Sequence, residues 1–324
     1  MNDPKDMPVD IDEMREWLNG YFKTTSKTWS EIASESGLSK GLLNSFSSAT
    51  YTGNNENIAR RIYQYRQKVE SQAEMQDKLL KSAGYIETPT SRRIETLLRH
   101  AQMGRITVGA MGPGTSKTMT AKMFKAAMGE TVWYVELLEC DDTPMALAIE
   151  IAKAVGLMVQ KRSSLKLLVE RIIEKIAFRR GLIIIDEANH TSFKSLELLR
   201  GLHDKAQVGI ALLGNEELLQ RIRSGPNRHA YARLNRRIAH CHIQDLPTEA
   251  DIGAFLDHLN IIENDMRRPL IRVGMSADGG GLGEVQQILE SAQMAAIADE
   301  APLSAAHVNA AIAFRTTSQM RRAA

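Results

Sequence analysis

Cysteine is scarce in this 324-residue chain: only Cys140 and Cys241 occur, far apart. No disulfide framework is built on two such residues, and their scarcity suits a reducing cytosol. No apolar run is long enough to cross a bilayer, and the first ten residues are polar and acidic, so neither a transmembrane helix nor a secretory leader is expected. A charge excess is missing too. Against 39 Asp and Glu stand 41 Lys and Arg, a formal net charge of +2, which excludes a polycation acting through bulk charge. Internal repeats and low-complexity tracts are absent. A hydrophobic content of 43% is that of a globular protein with a real core.

Balanced overall, the charge is uneven locally. Residues 1–16 are acidic, whereas 221–240 holds six arginines and no carboxylate. Residues 161–180 carry seven basic side chains against Glu170 and Glu174. Such patches either contact phosphates or form solvated helix faces. Lys161 and Arg162 follow a helix expected to end at Gly156, so they are read as loop cations for duplex DNA phosphates.

Four regions are expected. Residues 1–70 form a helical module and 71–90 a polar linker that leads into a capped helix at Ser91. Residues 91–246 form an α/β core, and 247–324 a helical lid interrupted by the glycine-rich run 279–283. In the core, RITVGA, TVWYVELL, LIIIDE, VGIALLGN and RIAHCHI read as strands, with helical patterns between several of them. This alternation predicts a mainly parallel sheet with a ligand site at the strand carboxyl ends.

Between the first strand and the next helix lies GAMGPGTSKTMTA. The phosphate-loop pattern G-x-x-x-x-G-K-[ST] requires glycine where Met111 and Ser116 stand, while Gly112 and Gly114 fall between. Taken alone, such a loop also serves as an ordinary strand-to-helix turn. As a nucleotide site, Gly112, Gly114, Thr115 and Ser116 would offer backbone N–H groups to phosphate oxygens. Lys117 would add a cation and Thr118 a hydroxyl for Mg²⁺. Asp186 ends LIIID, where it would share the Mg²⁺, and Glu187 is placed to polarise an attacking water. Asn215, after the next strand, would orient that water or touch the γ-phosphate, unless it is simply a turn-forming Asn after glycine. Loop, acidic pair and Asn in this order argue for ATP with Mg²⁺. His240 and His242 alternate on a strand with no third ligand evident, so a metal site there is not expected.

In the amino-terminal module, TWSEIASESGLSKGLLNSF reads as helix, glycine turn and second helix. Ser39, Lys40 and Asn44 would face a DNA major groove. Helix-turn-helix shapes also serve as protein-interaction modules.

IASESGLSKG, YTGNNENIARR, LIIIDEANH, LLGN and ARLNRRIA, in this order over nearly the whole chain, resemble the bacteriophage Mu family of transposition target-capture ATPases (MuB), within the AAA+ superfamily. The resemblance implies an AAA+ P-loop core with a helix-turn-helix head and a helical lid. It implies ATP-dependent filaments on double-stranded DNA without sequence preference, delivery of that DNA to a DDE transposase, and work in a bacterial host's cytoplasm. It also implies an arginine acting on a neighbouring subunit's ATP: Arg237, with Arg233 and Arg236 as competitors. The chain departs from the family at Met111, at Ser116, and at Gln286, which stands where an arginine is expected early in a lid helix. A helicase-loader ATPase and a non-hydrolysing DNA-binding regulator are the alternative readings.

Overall fold

A computed structural model describes residues 9–78, 84–159, 163–224, 228–277 and 280–315. The chain divides into two compact units, Met1–Lys81 and Ser82–Ala324. Among the described residues the first holds four helices: α1 (Ile11–Thr24), α2 (Trp29–Ser36), α3 (Lys40–Ser47) and α4 (Asn55–Lys78). Thr28 and Glu31 cap the start of α2 reciprocally, and Gly37 ends that helix at φ +68°, a conformation that favours glycine. Ser39 then caps α3 by accepting the Leu42 N–H at 3.3 Å. Met14, Leu18, Ile32, Leu43, Phe46 and Ile62 are buried among these helices. Ser39, Lys40 and Asn44 stay exposed on α3. α4 continues through residues 71–78, into the stretch expected as a linker. That stretch contains helix formers and no glycine or proline before Gly84.

The second unit opens with α5 (Pro89–Gln102), whose cap is Thr88; Ser91 lies one turn inside, and its hydroxyl oxygen accepts the Thr88 N–H. Then follow β1 (Ile106–Met111), α6 (Lys117–Met128), β2 (Val132–Glu136), α7 (Pro144–Ala154), α8 (Leu165–Ile176), β3 (Leu182–Asp186) and α9 (Phe193–Ala206). The core closes with β4 (Gly209–Gly214), α10 (Glu216–Arg223), the short α11 (Ala232–Asn235) and β5 (Ile238–Gln244). The five strands pair in parallel in the order β2-β3-β4-β1-β5. Every residue of β1, β3 and β4 is buried, as continuous apolar strands require when both faces are covered. Because all strands run the same way, the carboxyl ends of β1, β3 and β4 gather at one edge.

Helices α12 (Glu249–His258), α13 (Asn264–Gly274), α14 (Leu282–Ala298) and α15 (Ala305–Phe314) enclose a separate apolar core around Ile252, Leu256, Leu270, Val285 and Leu289. Asp251 ties these helices to α5. Its fully buried carboxylate accepts hydrogen bonds from the backbone N–H and hydroxyl of both Thr90 and Thr248, at 2.7–2.8 Å. Burial alone would raise this carboxyl, yet the donors hold it below the ordinary aspartate value.

Candidate nucleotide site

The loop after β1 is shaped by close backbone contacts. Gly112 donates its N–H to the Gln244 carbonyl at 3.0 Å, and a Cβ there would lie 1.8 Å from the Asp245 carbonyl oxygen. A glycine at 112 is therefore required by the chain leaving β5. Gly114 has φ +69°, and a Cβ on it would meet the Gly281 Cα at 2.6 Å. Leu282, opening α14, donates its N–H to the Gly114 carbonyl at 3.2 Å. The lid thus closes directly onto the loop through paired glycines. Met111 stands where the consensus places glycine. Its side chain is buried over Gly109, where a Cβ would lie 2.7 Å from the Met111 methyl.

Ser116 adopts φ +66°, ψ 18° just ahead of α6, a left-handed conformation unusual for a residue with a Cβ. Lys117 is 9% exposed, and its Nζ donates to the Met111 and Gly112 carbonyls at 2.6 and 2.8 Å. Burial pushes this ammonium below its ordinary value, against the opposing pull of the Glu187 and Asp186 charges. The Thr118 hydroxyl donates to Asp186 Oδ2 at 2.7 Å, so the two residues read as a Mg²⁺ pair meet in space. Asp186 is fully buried, and its Oδ1 accepts the Glu187 N–H at 3.0 Å. A hydroxyl and a carboxylate suit a hard cation that prefers oxygen.

Above the loop lies a cleft of about 500 Å³. Gly114, Thr115, Ser116, Lys117, Thr118 and Glu187 form its polar end, and Tyr85, Ile86, Met119, Phe255 and Leu282 supply apolar walls. Its size and division of polarity suit a nucleotide. Gln286 also lines it, with Nε2 donating to Glu290 at 2.9 Å. The wall residues Tyr85, Ile86 and Phe255 carry no local signal in the sequence, since they reach the cleft only when α12 packs against α5. Tyr134 was equally invisible. Its hydroxyl donates to Asp186 Oδ2 at 2.8 Å, and burial with the nearby carboxylates raises the phenol well above its ordinary value.

Other expected residues fall elsewhere. Asn215 follows β4 and is not among the residues lining the cleft; its Oδ1 is buried without a protein partner. Arg237, at the start of β5, is half-exposed and pairs with Asp204 on α9 at 3.1 Å. Burial would raise Asp204, but Arg237 and Arg200 hold it below its ordinary value. Arg233 and Arg236 are exposed. Lys161 and Arg162 lie outside the described residues.

The sheet order, the loop leading into α6 and the helical lid define an AAA+ P-loop ATPase fold. Residues 108–222 match the AAA domain family. Two solved Aeropyrum pernix structures share the fold: ORC2 in ADPNP–ADP complexes and ORC1 in complex with DNA. The first superposes with a TM-score of 0.54 at 15% identity, covering 71% of this chain and 69% of that one. The second gives 0.52 at 18% identity, covering 72% and 66%. The curated relatives are more particular. The chain is 28% identical over 252 residues to the ATP-dependent target DNA activator B of Escherichia phage Mu, covering 77% of this chain and 78% of that protein. Identity is also 28%, over 269 residues, to the Mu-like prophage FluMu DNA transposition protein B of Haemophilus influenzae, covering 82% and 91%. The resemblance to the Mu family read from the sequence is therefore borne out.

Proposed function

We propose that the protein is an ATPase that binds double-stranded DNA in an ATP-dependent, sequence-nonspecific manner and delivers it as a transposition target to a DDE transposase. The observation that carries this reading is the convergence of Lys117, Thr118 and Glu187 on one cleft, with Asp186 hydrogen-bonded to Thr118 beneath it. The relatives named as target DNA activators lend it the DNA and transposition roles.

The loop amides and Lys117 would bind the phosphates, while Tyr85, Ile86, Phe255 and Leu282 would exclude water from the base. Thr118 and Asp186 would hold Mg²⁺, which would neutralise phosphate charge. Glu187, which lines the cleft, would take the proton of the attacking water. Asn215, outside the cleft lining but at the end of β4 next to β3 and with its Oδ1 unpartnered, would turn toward that water. Arg237 would leave its exposed partner Asp204 to reach a neighbouring subunit's nucleotide within a filament on DNA. Ser39, Lys40 and Asn44 offer polar groups to the duplex, and Lys161 and Arg162 offer phosphate contacts.

The test is retention of two duplexes of unrelated sequence with ATP and with ADP, followed by transfer of transposon ends into the retained DNA. Retention of both duplexes in ATP and release in ADP support the proposal. Equal retention in both nucleotides points to a non-hydrolysing regulator, and ATP-dependent retention without use by a transposase points to a helicase-loader role.

A further inference from the structure

We infer that Tyr134 is a positioning residue for the metal-holding carboxylate, and that the Lys122–Glu136 ion pair aims its hydroxyl. The inference rests on the nucleotide-site reading above and assigns it a part that the phosphate-loop pattern does not contain.

Residues 134 and 136 point to the same face of β2, as alternate residues of a strand do. Glu136 lies opposite Asp186 in the β2–β3 register, so two carboxylates stand side by side at neighbouring strand ends. The Tyr134 oxygen is 2.8 Å from Asp186 Oδ2 and 3.2 Å from Glu136 Oε2. A phenol has one proton, and ionised carboxylates only accept, so at any moment one of the two receives the hydrogen bond. Lys122, from α6, decides between them. Its Nζ pairs with Glu136 Oε2 at 3.0 Å and lies 5.4 Å from the centre of the Tyr134 ring. With its charge already met by an ammonium, Glu136 has less need of the phenol proton. The fully buried Asp186 forms no ion pair among the described residues, Lys117 acting on it only at longer range, and takes the shorter bond.

The consequence is geometric. Asp186 Oδ2 is held from one side by Thr118 and from the other by Tyr134, and Oδ1 by the Glu187 N–H. If Thr118 turns its oxygen toward a metal ion, the Tyr134 bond keeps the carboxylate in place. Hydrogen bonds of this kind to a metal-binding carboxylate typically change metal affinity about 10–100-fold.

The experiment measures binding of a fluorescent ATP analogue to the full chain while Mg²⁺ is titrated, and separately in EDTA. For Tyr134→Phe, we expect the Mg²⁺ concentration at half-maximal effect to rise about 10-fold, with binding in EDTA unchanged. Lys122→Met should shift it in the same direction by less, and Glu136→Gln should leave it near wild type, because an amide can donate to the phenol oxygen while the phenol still donates to Asp186. A wild-type Mg²⁺ midpoint in Tyr134→Phe would overturn the inference. So would an equal loss of affinity in EDTA, which would mark a general packing role. No binding of the analogue by the wild-type chain, with or without Mg²⁺, would refute the nucleotide-site reading itself, whereas wild-type binding that Mg²⁺ leaves unchanged would overturn this inference alone.

Discussion

Ser116→Gly separates the cost of the loop's shape from the cost of its occupancy. At φ +66° the serine occupies a region where a Cβ costs about 1–2 kcal/mol. Glycine removes that cost but loses more conformational freedom on folding, an offset of about 0.5–1 kcal/mol. The hydroxyl caps nothing: Ser116 precedes α6 without a side-chain hydrogen bond to it, whereas its carbonyl accepts from Thr120, a bond that glycine keeps. The net gain is then at most about 1.5 kcal/mol, or roughly 3–6 °C in melting temperature for a unit of this size. The strain is present with and without nucleotide if the loop keeps its shape, so it should raise the melting temperature of the nucleotide-free protein. Any gain in ATP affinity would come only from the missing Cβ beside the phosphates. Thermal melts of wild type, Ser116→Gly and Ser116→Ala, each with and without ATP, make the comparison. Ser116→Ala retains the Cβ and should melt with wild type. A Ser116→Gly variant that melts no higher than Ser116→Ala would refute the argument.

Glu187→Gln should retain ATP and slow its turnover by at least about 10²-fold, since a general base contributes about 10²–10⁴-fold; steady-state phosphate release on DNA checks this. Gly281→Ala should destabilise the protein by about 1–3 kcal/mol and weaken ATP binding. Its φ of +111° is open to glycine alone, and its Cβ would strike Gly114 Cα at 2.9 Å; denaturant unfolding and a nucleotide titration measure the two effects. Arg237→Ala should cost less than about 1 kcal/mol of stability, because its pair with Asp204 is exposed, yet abolish DNA-stimulated hydrolysis. Mixed with Lys117→Ala, which lacks the other half of the site, it should regain partial activity; an inactive mixture of co-assembling subunits would move the role to Arg233 or Arg236.

Much of the core was legible because parallel strands buried on both faces must be apolar without interruption. LIIID, bounded by Gly181 and an acidic pair, has no helical or half-exposed reading that fits its length. The order of Lys117, Asp186 and Asn215 along the chain was visible for the same reason, since each ends or follows such a strand. What the strand pattern does not carry is who approaches whom. Gly112 and Gly114 were read as phosphate-facing glycines, yet each also answers a contact far away in sequence, with Asp245 and Gly281. Tyr134 carries no signal of its own within TVWYVELL; it is pairing with β3 that sets it beside Asp186. The departures from consensus follow the same logic. Met111 can replace the first glycine because Gly109, two residues earlier on the same face, leaves room for its side chain, whereas Ser116 has no such compensation and bears left-handed strain. A loop pattern written as spacings along one segment records the phosphate's demands. The glycines here also record those of β5 and the lid, and this is why the pattern is displaced without the site being lost.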